Sequence, residues 1–453
     1  MQIDKNILLV NPWIADFAAY DLWSKPLGLL AVGGFLEDYG YNISLIDLQN
    51  REYWGMEQKQ GKYAQTGRGK YHKTIISKPD PVQDISRHYG LYGATRQQFT
   101  NELEACSPDA ILVTSQMTYW YPGVQKTVDI LKDKFPNVPL IQGGIYVTLC
   151  PEHAHQQINA DYFIKGAGEK RGLELLDGIF GINRNYSNIS ELVSSRLPWH
   201  LYDELDSVSI LSSRGCPYNC DFCATKTLQP KFFMREPADI INEIKYIYNN
   251  FDLNNIAFYD DALFFNKEEH IKPILRRLGQ MDLDINFHTP NGLFTSEIDQ
   301  ELAELMYKNQ FTTVRLSLES SVTKWLDSAS NKVTKHDFQR AIQHLKEAGY
   351  NSTDIETYLI MGLPGQTVQE VKDSLDFVYQ SGAISRLAAF TPIPTTEEWN
   401  RAEDMGLIEE DIDPVLTNNT LHPCANEDFP EREYQNLRDY SNKLNNKIRN
   451  KDG

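Results

Sequence analysis

The sequence predicts an α/β protein with two parallel-sheet domains, a doubly wound sheet followed by a barrel or partial barrel, and a short helical C-terminal region. Its 453 residues suffice for two substantial hydrophobic cores. Short apolar runs alternate with segments of helical period along most of the chain, a pattern typical of parallel sheets covered by helices. This alternation breaks near residue 200 and then resumes with six further repeats.

The first domain is predicted to span residues 1–193 and to be Rossmann-like. Its predicted strands are residues 5–12, 42–48, 109–116, 139–144 and 161–169, and its clearest helices are 26–41 and 123–135. Strand, helix and strand in succession form a βαβ unit, which requires parallel strands. Residues 54–93 form a polar, tyrosine-rich insert with a basic bias.

The second domain is predicted to span residues 206–395, after a linker at 194–205. Its predicted strands are 207–213, 255–261, 284–291, 312–320, 354–362 and 386–394, with helices at 237–251, 298–309 and 337–350. Six βα repeats indicate a TIM-like barrel or partial barrel, in which functional residues lie on the loops after the strands. Residues 396–453 are polar and are predicted to form a helical cap on this barrel.

The net charge of the chain and the lack of long apolar runs argue against some classes of protein. With 44 lysines and arginines against 62 aspartates and glutamates, the net charge is −18. Such a surface repels a phosphate backbone, which argues against general nucleic-acid binding. No apolar run approaches the roughly twenty residues that span a bilayer, and the N-terminus lacks the pattern of a signal peptide. We therefore expect a cytoplasmic protein, in which clustered cysteines indicate a metal or catalytic site rather than disulfides.

Three of the six cysteines lie close together in the stretch SSRGCPYNCDFCATK, residues 212–226. Cys216, Cys220 and Cys223 follow the first predicted strand of the barrel. A structural zinc site normally has four ligands, whereas three thiolates leave one position open and also suit iron and sulfide. Gly215 and Pro217 favour a tight loop. A zinc or redox site and unconnected core cysteines are the alternatives.

The run Cys216-Pro-Tyr-Asn-Cys220-Asp-Phe-Cys223 resembles the signature of the radical S-adenosylmethionine (SAM) superfamily. The resemblance implies a partial (β/α)6 barrel in which the three cysteines bind a [4Fe–4S] cluster and the open iron is chelated by the amino and carboxylate groups of SAM. Reduction then cleaves SAM to a 5′-deoxyadenosyl radical, which requires an external low-potential electron donor and implies sensitivity to oxygen. Phe222, just before the last cysteine, is assigned to SAM binding.

Later strand ends extend this resemblance. Asp260 and Asp261 stand where the superfamily usually has a Gly-Gly-Glu stretch that holds the SAM amino group, and a carboxylate is a suitable partner for an ammonium. The other candidates for SAM binding are Ser317 and Glu319 after the fourth strand and Gly362 and Gly365 after the fifth. Acidic pairs also occur as solvated or helix-capping groups, and GLPG also forms ordinary turns, so structural roles are the alternative.

The first domain resembles the cobalamin-binding domain that precedes the radical SAM barrel in one class of these enzymes. The resemblance is carried by LLVNPW, PLGLLAVGGFLEDYGYNISLIDL, VTSQMTYWYPG, LIQGGIYVTLCPEHA and DYFIKGAGE. It places the nucleotide tail of cobalamin against five residues, Ser115, Thr118, Gly143, Gly144 and Thr148. The Asp-x-His-x-x-Gly pattern that supplies a cobalt ligand elsewhere is absent. The alternative is a domain that only supports or covers the substrate site.

The two resemblances together imply a cobalamin-dependent methyltransferase that uses the adenosyl radical to activate an unactivated carbon, with a second SAM restoring the methyl group on cobalamin. The alternative enzyme has a vestigial first domain and catalyses cyclisation, rearrangement or oxidation. Methylthio transfer is disfavoured, because a second cluster needs three more cysteines and the first domain has only Cys106 and Cys150. An iron–sulfur sensor or electron carrier and a bare cobalamin carrier are the non-enzymatic alternatives.

The sequence leaves the substrate open between a small molecule and a peptide, and assigns no catalytic residue. Tyr119, Trp120, Tyr121 and His288 flank the expected interface, where aromatic residues also serve as core. The insert carries Lys59, Lys62, Arg68, Lys70, Lys73 and Lys78, which suit an acidic substrate or partner as well as a solvated loop. In the tail, His422 and Cys424 are read as a ligand, a radical-quenching thiol or an incidental pair.

Overall fold

The computed structural model of the protein describes residues 3–55, 68–189, 197–281, 283–330 and 333–452. Lys59 and Lys62 of the predicted insert, and the first part of the predicted linker, lie outside these residues. In the part of the chain described, no helix is both long and apolar enough to cross a membrane.

The first domain is built on a five-stranded parallel sheet. The strands of the domain, including three that lie outside this sheet, are β1 (Asn6–Asn11), β2 (Ile14–Asp16), β3 (Asn42–Asp47), β4 (Lys73–Ile75), β5 (Gly90–Tyr92), β6 (Ala110–Val113), β7 (Leu140–Gln142) and β8 (Tyr162–Phe163). Its helices are α1 (Leu27–Asp38), α2 (Arg96–Leu103), α3 (Tyr121–Lys134), α4 (Ile145–Leu149), α5 (Pro151–Gln157) and α6 (Glu169–Phe180). The sheet order is β3-β1-β6-β7-β8, which confirms the doubly wound arrangement.

Alternation along the strands produces two apolar layers, one on each face of this sheet. In β1, Ile7 and Leu9 pack with α1 and α6, whereas Leu8 and Val10 pack with the core beneath α3. All four side chains are buried because both faces of the sheet are covered. The carboxyl ends of the strands are left as the accessible edge of the domain.

A small antiparallel sheet, in the order β2-β5-β4, was not predicted. Two of its strands, β4 and β5, come from the 54–93 insert, so part of that insert is ordered structure. The strands are only three residues long, and so short a run gives no periodic pattern that sequence analysis could detect. Lys73 donates to the carbonyl oxygen of Phe17 at 3.0 Å and thereby ties the insert to the loop after β2.

The second domain is a partial barrel. Its strands are β9 (Val208–Ile210), β10 (Ser213–Arg214), β11 (Phe233–Met234), β12 (Asn255–Phe258), β13 (Asn286–His288), β14 (Leu293–Phe294), β15 (Phe311–Glu319), β16 (Ile355–Met361) and β17 (Ile384–Ala389). Its helices are α7 (Thr225–Leu228), α8 (Pro237–Asn250), α9 (Ile271–Leu278), α10 (Gln300–Lys308), α11 (Thr323–Ser328), α12 (Lys335–Ala348) and α13 (Val368–Ser381).

The six main strands run in parallel in the order β9-β12-β13-β15-β16-β17, with β14 beside β15. Neighbours in sequence are neighbours in space, as expected for successive βα units. In the described residues β9 and β17 are the two edges of the sheet, so the barrel is open, as the sequence predicts. The carboxyl ends of these strands face the first domain.

The C-terminal region, which the sequence predicted to be a helical cap on the barrel, contacts both domains. It contains α14 (Glu397–Asp404) and α15 (Glu431–Asp452), and α15 packs along β17 and α13. Between these helices the chain crosses to the first domain, where Asn418 donates to Asp16 at 2.9 Å and Tyr121 donates to Asp413 at 3.0 Å. The region therefore connects the two domains.

Candidate active site

The cysteine loop is enclosed by the two-stranded antiparallel sheet of β10 and β11. Gly215 enters the loop at a φ of +77°, and an added Cβ would lie 3.0 Å from the carbonyl oxygen of Lys231, so only glycine fits without strain. At the loop's exit, Arg235 donates to the carbonyl oxygen of Leu211 at 2.8 Å and to the Glu243 carboxylate at 2.6 Å. Both ends of the loop are thereby held at the end of β9.

Backbone hydrogen bonds also hold the middle of the cysteine loop. The amide of Asp221 donates to the carbonyl oxygen of Ser328 at 2.9 Å, and its carbonyl oxygen accepts from the amide of Glu398 at 3.0 Å. The amide of Asn219 donates to the hydroxyl of Ser330 at 3.0 Å. Contacts from α11 and α14 therefore position the backbone between the first and last cysteines.

The three thiols share this loop and its electrostatic environment. Cys216 and Cys220 are half-buried and Cys223 is exposed. Burial raises the pKa of the Cys216 thiol to about 11, and the neighbouring Asp261, Cys220 and Cys223 contribute to the increase. A thiol must lose its proton to bind metal, and iron supplies the positive charge that favours its thiolate. In donor chemistry and spacing the loop fits a three-thiolate cluster.

The thiols do not already converge on a metal-sized site. Within the described residues, no three histidine, cysteine, aspartate or glutamate side chains are close enough together to hold a metal ion. The sites on Cys216, Cys220 and Cys223 therefore remain a prediction from the motif and its place in the fold.

Asp260 is buried beneath the loop and holds its first residues. Its carboxylate accepts from the backbone amide and the hydroxyl of Ser212, at 3.0 and 2.7 Å, and from the amide and hydroxyl of Ser213, at 2.5 and 2.6 Å. His270 lies 3.1 Å from the Ser212 hydroxyl and extends the network. The carboxylate of Asp260 is thus occupied by the strand end that carries the cysteine loop.

Asp260→Asn should destabilise the protein and impair assembly of the cysteine loop. An amide has one acceptor oxygen in place of two and adds two buried donors, so we expect a loss of about 3 kcal/mol in the free energy of unfolding. Urea denaturation and iron content after reconstitution would measure both effects. Asp252→Asn, at an exposed loop position, is the matched control. Equal stability of the two variants would contradict the assigned role.

Asp261 lies beside the cysteines and opens toward the cavity between the domains. Thr225 donates to its carboxylate at 3.4 Å, and the Thr225 hydroxyl lies 3.1 Å from the sulfur of Cys223. Loss of hydration in this setting raises the pKa of Asp261 to about 6, and the charge of Asp260 adds to the increase. Of the two predicted aspartates, Asp261 is the one whose residue lines the cavity.

The structure places the other predicted SAM residues in different surroundings. Ser317 is buried under Gly292, where a Cβ would lie 1.9 Å from the Ser317 hydroxyl, and Glu319 has a φ of +63° beyond a bulge in β15. Gly362, at a φ of +88°, packs against Tyr434 of α15. The last two predicted SAM residues, Phe222 and Gly365, lie on the outer side of the cysteine loop. Phe222 packs with an apolar cluster around Trp325, and Gly365 lines a surface cleft with Asp221.

A cavity of about 310 Å³ lies between the two domains. From the first domain it is lined by the ends of β6, β7 and β8 and by Gly28, Leu29 and Val32 of α1. From the barrel it is lined by Gly215 of the cysteine loop and by Asp261, among others. Its wall is mostly aliphatic, which suits a flat, weakly polar group that reaches from the first sheet to the cysteine loop.

Of the five residues predicted to contact the nucleotide tail, two line this cavity. They are Gly143 and Gly144, and Gly144 has a φ of +95° with the backbone of Ser115 directly behind it. Ser115 supports the glycines: its hydroxyl donates to the carbonyl oxygen of Gly143 at 2.9 Å and accepts from the amide of Tyr146 at 3.1 Å. Thr148 lines an adjoining cleft, whereas Thr118 is buried beside the C-terminal region.

An ion pair that was not predicted crosses the cavity. Arg214, two residues before Cys216, pairs with Glu169 at the start of α6, and both line the cavity. Glu169 is only 3% exposed. Because each residue is an ordinary charged residue in sequence, only the packing of the two domains reveals that the pair links the first sheet to the cysteine loop.

The barrel mouth is filled by a tryptophan from the first domain. Trp23 is fully buried and stacks on the ring of His288, with ring centroids 4.0 Å apart. His288 also hydrogen-bonds with Asn255 at 2.9 Å and Thr313 at 3.0 Å. The predicted interface aromatics Tyr119, Trp120 and Tyr121 lie elsewhere, near the C-terminal region, where Trp120 donates to Asp16 at 2.6 Å.

The buried His288 should make stability depend on pH below neutrality. Burial, with the charges of Arg68 and Arg315, lowers its pKa from 6.5 to about 3. Between these values the unfolded chain binds a proton that the folded ring does not, so stability rises with pH, by up to about 1.4 kcal/mol per pH unit. His288→Gln should reduce this slope between pH 5 and 6.5 in urea denaturation. An unchanged slope would show that His288 does not cause it.

The tail residues His422 and Cys424 lie in different surroundings. Cys424 is buried in the apolar cluster with Trp325, and burial raises the pKa of its thiol to about 12. His422 stacks on Tyr434 and hydrogen-bonds with Glu431 at 2.7 Å. A protonated, buried thiol is unreactive, which favours the structural interpretation of Cys424.

Comparison with protein families identifies two domains in this chain. Residues 210–378 match the model of the radical SAM superfamily, and residues 85–176 match the model of the B12 binding domain. The first match covers the cysteine loop, Asp261 and the strands β12 to β16. The second covers β6, β7 and β8, whose ends line the cavity.

The individual proteins similar to this chain in sequence or fold include three that are named methyltransferases. The chain is 25% identical to an uncharacterized methyltransferase of Pyrococcus horikoshii, over 68% of this chain and 74% of the relative. It is 20% identical to cytidylyl-2-hydroxyethylphosphonate methyltransferase of Streptomyces wedmorensis, over 89% of this chain and 83% of the relative. The radical SAM methyltransferase TsrM of Kitasatospora setae has a similar fold, with a TM-score of 0.63 at 17% identity over 89% of this chain and 77% of that one.

Proposed function

Because this chain belongs to the cobalamin-dependent radical SAM methyltransferase family, we propose that it transfers a methyl group to an unactivated carbon of a small-molecule or peptide substrate. Its cofactors are a [4Fe–4S] cluster, SAM and cobalamin. When bound, the cluster and SAM supply a 5′-deoxyadenosyl radical, and cobalamin supplies the methyl group.

The observation that carries the proposal is the cavity between the domains. It reaches from Gly143 and Gly144, at the ends of the first sheet, to Gly215 and Asp261 at the cysteine loop. A group held in the first domain therefore faces the position of the cluster. Two cofactors acting on one substrate need this arrangement, because reacting atoms must approach within about 3–3.5 Å.

Each set of residues has a distinct proposed role. Cys216, Cys220 and Cys223 hold the cluster, and Asp261 accepts a hydrogen bond from the SAM amino group. Ser317, Glu319 and Gly362 lie at or just beyond the ends of the neighbouring strands β15 and β16, and they stay predicted contacts of the rest of SAM. The aliphatic wall around Leu29 and Ile141 excludes water from the cobalamin tail, with Gly143 and Gly144 allowing close approach.

The proposal includes a partner and a compartment. The cluster must be reduced, so we propose a low-potential electron donor that meets the outer face of the cysteine loop, in the cytoplasm. Cys223 is exposed and Asp221 borders an open cleft of about 560 Å³, so this face is accessible.

The test is anaerobic and does not need the substrate to be known. Protein expressed with hydroxocobalamin and reconstituted with iron and sulfide should bind about one cobalamin and release 5′-deoxyadenosine when reduced with dithionite in the presence of SAM. With candidate substrates, S-adenosylhomocysteine should accumulate together with 5′-deoxyadenosine. Cobalamin is quantified by absorbance and the products by mass spectrometry.

The two readouts separate the possible failures. Release of 5′-deoxyadenosine without bound cobalamin would keep the radical enzyme and overturn the proposed methyl transfer. An intact cluster that does not cleave SAM would overturn the enzyme and leave a sensor or electron carrier.

A further inference from the structure

The last cysteine of the loop has a hydroxyl neighbour to which no role has been assigned. Thr225, two residues after Cys223, begins the short helix α7 and is half-buried. Its hydroxyl oxygen lies 3.1 Å from the sulfur of Cys223 on one side and 3.4 Å from the carboxylate of Asp261 on the other. A hydroxyl has one hydrogen to donate, so these two atoms compete for it.

The lengths of the two contacts favour the sulfur. A hydroxyl that donates to an oxygen usually lies about 2.5–3.0 Å from it, so the 3.4 Å contact with Asp261 is long. The 3.1 Å contact with Cys223 is close, because sulfur is a larger atom than oxygen. A cysteine binds iron as a thiolate, which has no hydrogen and can only accept. In that state Thr225 is the donor of the pair.

Backbone hydrogen bonds fix the chain on both sides of this contact. The amide of Cys223 donates to the carbonyl oxygen of Cys220 at 3.0 Å. The amide of Gln229 donates to the carbonyl oxygen of Thr225 at 2.7 Å and closes the turn of α7. The proximity of the hydroxyl to the sulfur is therefore built into the backbone of the cysteine loop and of α7.

We propose that Thr225 donates a hydrogen bond to the Cys223 thiolate when the cluster is bound and thereby raises the reduction potential of the cluster. The inference rests on the proposed function, since it takes the cluster to be held by this loop. One electron from the low-potential donor adds negative charge to the cluster and its thiolates. A hydrogen-bond donor stabilises that charge more than it stabilises the oxidised form. Thr225 acts through Cys223, so it is a positioning residue.

The test measures the midpoint potential of the reconstituted protein, without SAM, by a redox titration followed by electron paramagnetic resonance. Thr225→Val removes the hydroxyl and keeps the shape of the side chain. Reduction should become about tenfold less favourable, which is a downward shift of about 59 mV for a one-electron couple. Thr225→Ser keeps a hydroxyl and should keep the potential of the natural protein. The matched control is Thr227→Val, in the same helix, where the hydroxyl lies 2.9 Å from that of Thr395.

A second background separates an effect on Cys223 from an effect on Asp261. Thr225→Val also removes a donor from the Asp261 carboxylate, and a change in that charge would itself move the potential. If the hydroxyl acts on the sulfur, Thr225→Val should lower the potential by at least as much in the Asp261→Asn protein. Loss of the shift in that background would assign the effect to Asp261 and overturn the proposal.

Iron content distinguishes the remaining outcomes. Equal potentials for the natural protein, Thr225→Val and Thr225→Ser, each with a full cluster, would overturn the proposal. If Thr225→Val holds no cluster, Thr225→Ala takes its place, since its side chain is smaller. Loss of the cluster from both, with Thr225→Ser retaining it, would assign the hydroxyl to assembly of the loop and also overturn the proposal. A natural protein that assembles no cluster would overturn the proposed function itself, so the two failures are distinct.

Discussion

Cys216→Ala is expected to abolish SAM cleavage. Cys216 is the half-buried thiol nearest the entrance of the loop, and its removal leaves two of the three thiolates that the proposed cluster requires. We expect the reconstituted variant to lose most of its iron and sulfide, and 5′-deoxyadenosine to fall below detection. Absorbance near the cluster band, iron analysis and mass spectrometry of the products measure these losses.

The three cysteines outside the loop provide the controls for this experiment. Cys424→Ala removes a buried thiol of the C-terminal region, and Cys106→Ala and Cys150→Ala remove half-buried thiols of the first domain. Each should retain the cluster and SAM cleavage, even where packing costs some stability. If Cys216→Ala kept its iron, or if a control lost it, the assignment of the cluster to this loop would be wrong.

Gly28→Phe is expected to block cobalamin binding while leaving the fold intact. Gly28 lies at the start of α1 and lines the cavity, and an added Cβ there meets no atom within 4 Å. A phenyl ring would therefore extend into the cavity without disturbing the helix. Overpacking a filled site costs about 3 kcal/mol, which corresponds to about a hundredfold weaker binding of cobalamin.

Gly178→Phe is the matched control for this prediction. Gly178 lies in α6, is exposed, and also has no atom within 4 Å of an added Cβ, but it does not line the cavity. Titration of hydroxocobalamin, followed by absorbance after gel filtration, should separate the two variants. Both should unfold at about the same temperature, since each replaces a helical glycine by a better helix former. Equal cobalamin binding by the two would place the tail outside this cavity.

The parallel architecture of both domains follows from local sequence patterns. Buried parallel strands are short apolar runs, and the helices between them have a helical period, so each unit is visible on its own. The cysteine loop is equally local, because its three thiols lie within eight residues. The small sheet β2-β5-β4 was not predicted, because its strands have only three residues each and β2 pairs with β5 across more than 70 residues of chain.

The division of roles between Asp260 and Asp261 was decided only by the tertiary structure. In sequence the two are adjacent and chemically identical. In the folded protein Asp260 lies beneath two serines of the preceding strand end, whereas Asp261 opens to the cavity beside Thr225. Successive side chains at a strand end point in opposite directions, and their surroundings come from distant segments.

By itself, the sequence determined the order of the two domains, the partial barrel and the cysteine loop, because periodicity and spacing are properties of neighbouring residues. Only the tertiary structure decided what lies between the domains. The cavity, the Arg214–Glu169 pair and the Trp23–His288 stack each join segments far apart in the chain. Their energies depend on distance and burial, which a linear pattern of residues does not contain.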